Sequence, residues 1–344
     1  MIKEWPGYKK GINLGGWLSQ CVHTYEHYDS FIKEEDLKTI SSWGLDHVRI
    51  PVDYDLVEDK EGNYIEKGFE YIQKAIDWCK NSKLNMILDI HKTFGYSFDS
   101  GEKEDGFFVN EAYQERFYRL WEELAKRFGN YGDRVAFELL NEVTDQSYGP
   151  IWNAIAKKCI IRIRKIAPTT KILVGSYWNN AVSSVKDLDE PYDENIIYNC
   201  HCYEPIIFTH QAAGWVDVMK PDFRISFKNT YKKYKEECGK LSQYWARDFF
   251  VPGSEDDVID SSYFEGLFQS ALATADKRDV ALYCGEYGVI DIASNEDTLE
   301  WYKAINAVFQ KYNIGRAAWS YRRMNFGLSD AKYDDIREEL IKYL

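Results

Sequence analysis

With 344 residues, 45% of them hydrophobic and 16% aromatic, the chain can bury a large core, which excludes a disordered protein. A formal net charge of −13 argues against nucleic acid as a partner, because phosphate binding needs clustered Lys and Arg. No apolar run is long enough to span a bilayer, so no membrane association is expected, and seven cysteines without a CxxC pair provide no disulfide framework. The opening "MIKEWPGYKKG" has no apolar h-region, which makes the protein cytoplasmic by default, or secreted if a leader has been removed.

Short apolar runs alternate with helical patterns along the chain. The first strand is expected at "KGINLG", residues 10–15. "HTYEH", His23 to His27, follows and fits the H-x-x-E-H pattern of an inverted zinc peptidase motif. Zinc ligation would need both His one turn apart on a helix, whereas this stretch is expected in a loop. A helix over 34–43, stopped by Gly44, leads to the second strand, "LDHVRIP" at 45–51, which ends near Arg49. A helix over 68–80 leads to the third, "LNMILDIH" at 84–91, which ends on His91. "NEAYQERFYRLWEELAKRFG" is the clearest helix, with Asn110 as N-cap, an apolar stripe from Tyr113 to Phe128, and Gly129 as its stop.

The fourth strand, "RVAFELLNE" at 134–142, is apolar on both faces, as a parallel sheet requires, yet it ends on Asn141 and Glu142. Burying a carboxylate there is costly unless it is paired or held for chemistry. Glu138 shares the parity of Glu142 in an unbroken strand and is expected to be structural, buried in the barrel with a cationic partner. After a helix over 148–166 come "KILVGS" at 171–176 and "NIIYNCHC" at 195–202, with His201 and Tyr203 at the end of the sixth strand. Cys200 and Cys202 point opposite to His201 on a strand and are expected to pack rather than to bind metal. The next connection is the longest, and its residues 215–265 carry apolar stripes of their own; a small subdomain beside the active-site face is expected there. The seventh strand, "VALYCGE" at 280–286, ends on Glu286, a helix follows over 298–312, and the eighth, "GRAAWS" at 315–320, ends on Trp319 before a last helix over 334–343.

Eight strands alternating with helices predict a single (β/α)₈ TIM barrel over 1–344, with its active site at the C-terminal ends of the strands. The competing open sheet finds no GxGxxG or GxxxxGK[ST] loop to support it. Carboxylates ending strands four and seven would face each other across the barrel mouth, which suits an acid and a nucleophile or base acting on an acetal centre. The 11 Trp and 26 Tyr fit a sugar-binding surface.

"GINLGGW", "DHVRIP", "LDIH", "FELLNEV", "HCY", "YCGEYGV" and Trp319 resemble, in order and over essentially the whole chain, the motifs of glycoside hydrolase family 5, the cellulase family. "FTHQAAGW" and the insert after strand six resemble its endoglucanase C type. The resemblance implies Glu142 as acid/base and Glu286 as nucleophile, with Arg49 and Tyr203 holding Glu286 charged and His201 positioning Glu142. It further implies that Asn141 binds the sugar 2-OH, that His91 contacts substrate or orients the site, and that Trp319 stacks under the sugar at the cleavage point. Retention of anomeric configuration follows, with carboxyl groups roughly 5 to 5.5 Å apart. Lys92 stands where many members have a second His, a departure that bears on the glycone subsites.

The expected function is a retaining endo-β-1,4-glucanase acting as a monomer on cellulose-type or mixed-linkage β-glucans, without metal or organic cofactor. The same chemistry on β-mannan, glucomannan or β-1,3-glucan is the nearest rival, because subsites differ where fold and catalytic pair are shared. A zinc peptidase through His23 and His27, and a catalytically silent carbohydrate-binding protein, are the alternatives from other classes.

Overall fold

The computed structural model describes residues 2–99, 101, 102 and 105–344. Its strands are β1 (Lys10–Asn13), β2 (His47–Asp53), β3 (Asn85–Lys92), β4 (Val135–Glu138), β5 (Ile172–Val174), β6 (Ile196–His201), β7 (Ala281–Tyr287) and β8 (Gly315–Ala318). They close into a barrel in sequence order, and every neighbouring pair is parallel. β4 is shorter than its apolar run suggests. The ladder stops at Glu138, while Leu139 and Leu140 remain buried and the Asn141 amide donates to the Ile90 carbonyl at 3.0 Å. Apolarity therefore reports burial beyond the point where strand pairing ends.

Helices Glu34–Ser42, Glu66–Asn81, Glu111–Phe128, Gly149–Arg164, Ser261–Lys277 and Asn295–Tyr312 form the outer layer. Asn110 caps the third of these, its side-chain oxygen accepting from the Ala112 amide. Two expectations need correction. "HTYEH" is a loop only in part: His23 and Thr24 lie outside any helix, whereas Tyr25 to His27 open a helix over Tyr25–Phe31 that Thr24 caps. His23 precedes that cap, so the imidazoles diverge: His23 Nδ1 meets the Tyr28 hydroxyl at 2.8 Å and His27 Nε2 the Gly16 carbonyl at 2.8 Å. The last helix also shrinks to Arg337–Leu340 followed by a 3₁₀ turn over Ile341–Tyr343.

Inside the barrel, successive inward positions on β3, β4 and β6 turn from apolar to polar toward the C-terminal ends. At the N-terminal end Ile87, Ala136, Leu173, Ile197, Ala281, Tyr283 and Ala317 pack under a floor of Trp5 and Tyr8, whose rings stack at 4.0 Å. Two residues further along β1, β2, β3, β4 and β6 come Asn13, Arg49, Asp89, Glu138 and Asn199, each 0% exposed. The period of two thus delivers one polar layer beneath the barrel mouth.

The long connection after β6 contains helices Tyr231–Leu241 and Gln243–Asp248. It buries Tyr231, Tyr234 and Cys238, and Phe249 lies between the rings of Tyr234 and Tyr263 at 5.4 and 6.1 Å. Among the described residues no helix is long and apolar enough to cross a membrane.

The floor residues are remote from the strand C-termini, so Trp5→Ala should lower unfolding stability by about 3 to 5 kcal/mol through cavity formation. Urea denaturation measures this, and turnover per folded molecule should stay at the parent value.

Candidate active site

The polar layer is organised by Arg49, whose planar fork faces groups from four other strands or their C-terminal extensions. Nε and Nη2 donate to Glu138 Oε2 and Oε1 at 2.7 and 2.8 Å. Nη2 also reaches Asn141 Oδ1 at 2.8 Å and Asp89 Oδ2 at 3.0 Å, and Nη1 donates to Asn13 Oδ1 at 2.9 Å and Glu286 Oε1 at 2.7 Å. Glu138 thereby has the cationic partner expected of it. Burial pushes the Glu138 carboxyl up from its usual range and Asp89 up to about 7, while the Arg49 charge opposes both shifts.

Glu286 reaches the site through an irregularity in β7. Register pairs Cys200 with Cys284 and then His201 with Glu286, so Gly285 is an extra residue in the ladder. Since Ala281 and Tyr283 already face inward, strict alternation would turn Glu286 toward the helices. The bulge turns it back. The Gly285 amide donates to Asn199 Oδ1 at 3.0 Å, and its carbonyl accepts from Asn13 Nδ2 at 2.9 Å. A Cβ at 285 would lie 2.7 Å from Asn199 Oδ1, so only glycine lets the two groups approach.

Both oxygens of Glu286 are occupied by donors, Oε1 by Arg49 and Oε2 by the Tyr203 hydroxyl at 2.8 Å. Burial and the facing Glu286 carboxylate hold the Tyr203 phenol well above its usual pKa, so it remains a donor. Glu142 is held by neutral groups instead: Oε1 faces His201 Nδ1 at 2.8 Å and Oε2 accepts from Asn179 Nδ2 at 2.7 Å. Burial raises the Glu142 pKa, while the Asn179 hydrogen bond, His91 and Arg49 pull it the other way. His201 is brought down to about 4 by burial and is neutral. Asn180 Nδ2 lies 3.4 Å from its Nε2, which leaves the proton on Nδ1, facing Glu142. His201 Nδ1 is also 3.7 Å from Glu286 Oε2, and an oxygen of each glutamate and this nitrogen lie within 4.8 Å of one another.

His91 is neutral as well, its pKa lowered to about 4 by burial, and its Nδ1 donates to Asp89 Oδ2 at 2.6 Å. Its ring lies parallel to that of Trp319, with centroids 5.9 Å apart, and edge-on to Phe98 at 4.9 Å. The Trp319 indole passes so close to Gly15 that a Cβ there would fall 2.7 Å from the ring. Asn141 Oδ1 faces Arg49, so its NH₂ points the other way, as a donor. Lys92 is buried, with Nζ 2.5 Å from Glu102 Oε1 and 5.7 Å from the centre of the Phe98 ring.

The structure therefore unites Arg49, His91, Asn141, Glu142, His201, Tyr203, Glu286 and Trp319 in one connected set. Asn13, Asp89, Asn199 and Asn179 belong to it too and escaped the sequence reading. Asp89 had a signal, since it lies two residues before His91 on the same strand face. Asn179 had little: Trp178, Asn179 and Asn180 all adopt left-handed backbone, with φ of 51°, 56° and 56°. Asn tolerates this and Trp does not, so the turn stores about 1 to 3 kcal/mol at such a position. Cys200 and Cys202 are buried, away from the site, and all seven cysteines are free.

Among the described residues two groups have metal-ligand proximity, Glu142 with His201 and Glu286, and His23 with Asp53 and Asp55. In the first, both Glu286 oxygens already accept from a guanidinium and a phenol, and the guanidinium charge beside them repels a cation. In the second, Asp53 accepts from Ser19 Oγ at 2.6 Å and the Gln20 amide at 3.1 Å, and His23 Nδ1 is engaged by Tyr28.

Residues 8–325 match the family "Cellulase (glycosyl hydrolase family 5)". Cellodextrinase A of Ruminococcus flavefaciens is 48% identical over 316 residues, covering 92% of this chain and 86% of the relative. Endoglucanase C of Acetivibrio thermocellus is 35% identical over 341 residues, covering 98% of each. A solved structure of a hyperthermophilic endo-β-1,4-glucanase in complex with substrate is 25% identical, with a TM-score of 0.73 over 94% of this chain and 92% of that one.

The bulge makes a sharp expectation. Gly285→Ala must displace Asn199 and rotate Glu286, so kcat should fall by about 100-fold or more while the protein stays folded, given the sensitivity of catalysis to a misplacement of about 1 Å. Steady-state kinetics beside circular dichroism tests it.

Proposed function

The chain belongs to the cellulase family, glycosyl hydrolase family 5, and is a glycoside hydrolase; on that footing we propose that Glu286 and Glu142 cleave internal β-1,4-glucosidic bonds of cellulose-type or mixed-linkage glucans with retention. The observation that carries this is the placement of the two carboxylates around His201, with an oxygen of each within 4.8 Å. An inverting enzyme needs carboxyl groups about 6.5 Å or more apart to admit a water between sugar and base.

In the first step a Glu286 oxygen bonds to the anomeric carbon while Glu142 gives its proton to the departing glycosidic oxygen. In the second, Glu142 takes a proton from water as the water oxygen attacks that carbon and the bond to Glu286 breaks. Arg49 and Tyr203 hold Glu286 as an aimed anion, since each donates to one of its oxygens. The NH₂ of Asn141 serves the sugar 2-OH, His91 lines the subsite at the cleavage point, and Trp319 supplies its stacking surface.

Residues 215–265 act as a subdomain flanking the cleft. The support is Trp215, half exposed and 6.1 Å from the ring of His210, which in turn packs on Tyr203 at 5.1 Å. One chain supplies every group named, which favours action as a monomer. The relatives named endoglucanase and cellodextrinase favour β-1,4-glucan and its oligosaccharides as substrates.

The test is release of new reducing ends from carboxymethylcellulose, mixed-linkage β-glucan, cellodextrins, glucomannan, mannan and laminarin. Release from the β-1,4-glucans is expected, with the first-formed product in the β configuration by NMR. Glu286→Gln and Glu142→Gln should each lower kcat by about 1,000-fold in folded protein. Near-parental turnover in either would overturn the assignment, and release from mannan or laminarin alone would move the substrate class.

A further inference from the structure

Glu142 presents two oxygens in unlike surroundings. Oε1 faces His201, whose side chain is 1% exposed and is fixed from behind by Asn180. A glycosidic oxygen cannot reach Oε1 without displacing a buried imidazole. Among the described residues Oε2 accepts a hydrogen bond from Asn179 alone, and Asn179 is exposed beside Trp178, itself 50% exposed. The amide is held there by backbone: the Asn179 N–H donates to the Val143 carbonyl at 2.9 Å, tying the left-handed turn to the segment that carries Glu142.

We propose that Asn179 is a positioning residue that makes Oε2 of Glu142 the proton-transferring oxygen and steadies the carboxylate left on it between the two steps. The proposal rests on the reading of Glu142 as acid/base. When the proton on Oε2 passes to the leaving oxygen, the Asn179 N–H donates to the new carboxylate. When water attacks the glycosyl carbon, the same oxygen takes the water proton and the amide gives up part of its hold. Asn179 needs no charge for this, and its exposure lets an incoming sugar displace it from Oε2.

The charged and titratable groups around Glu142 are Arg49 from β2, Asp89 and His91 from β3, His201 from β6, Glu286 from β7, and Tyr203 beyond β6; Tyr96 donates to the Glu142 carbonyl. All remain in place when only the Asn179 amide is removed. That loss withdraws a hydrogen bond from the charged form, so burial dominates further and Glu142 holds its proton to higher pH.

Asn179→Ala and Asn179→Gly make the test, the glycine variant keeping the left-handed backbone while deleting the amide. On an unactivated cellodextrin, where step one needs protonated Glu142, the alkaline limb of kcat/KM should move up. On 2,4-dinitrophenyl cellobioside, where breakdown of the glycosyl-enzyme limits turnover and needs ionised Glu142, the acidic limb of kcat should move up as well. Each shift should be about half to one pH unit. Loss of rate with both limbs unmoved in both variants marks a merely structural residue and overturns the proposal. Glu142→Ala is the control for the premise: it should lose the cellodextrin, keep a burst with the dinitrophenyl substrate, and regain turnover with azide as β-glycosyl azide. If that control fails, the acid/base reading falls and the proposal with it; if it succeeds and the limbs stay fixed, the proposal about Asn179 alone falls.

Discussion

The Arg49 guanidinium, fully buried beneath the barrel mouth, is the interaction on which the rest depends. A guanidinium out of water is costly, and so are Asp89, Glu138 and Glu286 without one. Their coexistence is tolerable because the planar fork satisfies several acceptors at once, in directions fixed by its own geometry. It joins β2 to groups of β1, β3, β4 and β7, so the strand that carries Glu286 is aligned with the strand that leads to Glu142. A lysine would bring the charge without the fork, and the strand ends would lose their common reference.

On this regular frame two irregularities do the aiming. The bulge at Gly285 turns Glu286 into the mouth, and the left-handed turn at Trp178 to Asn180 brings amides onto Glu142 and His201. Each is stabilised by partners that do not themselves meet the substrate: Asn13 and Asn199 at the bulge, and the Val143 carbonyl at the turn. A perfect barrel would present strand ends but would leave Glu286 facing the helices. Irregular backbone at these points is therefore part of the site's construction.

The electrostatics follow from which donors reach which carboxylate. Glu286 faces a guanidinium and a phenol, while Glu142 faces an imidazole and an amide, both neutral. Burial drives His91 and His201 to about 4, so neither adds a cation to the mouth at neutral pH. The same burial lifts Glu142 toward its acid form. Charged and phenolic donors on one carboxyl and neutral donors on the other, a few ångströms apart, are the asymmetry on which the proposed double displacement rests.

The sequence by itself determined the barrel, because strands buried on both faces and amphipathic helices have different periods and alternate eight times along the chain. It also determined where polar groups would gather, since Arg49, His91, Asn141, Glu142, His201 and Glu286 interrupt or end apolar runs. Only tertiary structure decided how they face one another. The partner of Glu138 lies 89 positions away on another strand, Glu286 depends on a register shift between β6 and β7, and Asn179 sits in a turn with no periodic signal. The helix at Tyr25–Phe31 and the separation of His23 from His27 were likewise settled by a cap and by contacts with Tyr28 and Gly16. Periodicity is local and is written in consecutive residues, whereas register and side-chain direction arise from pairings between segments far apart in the chain.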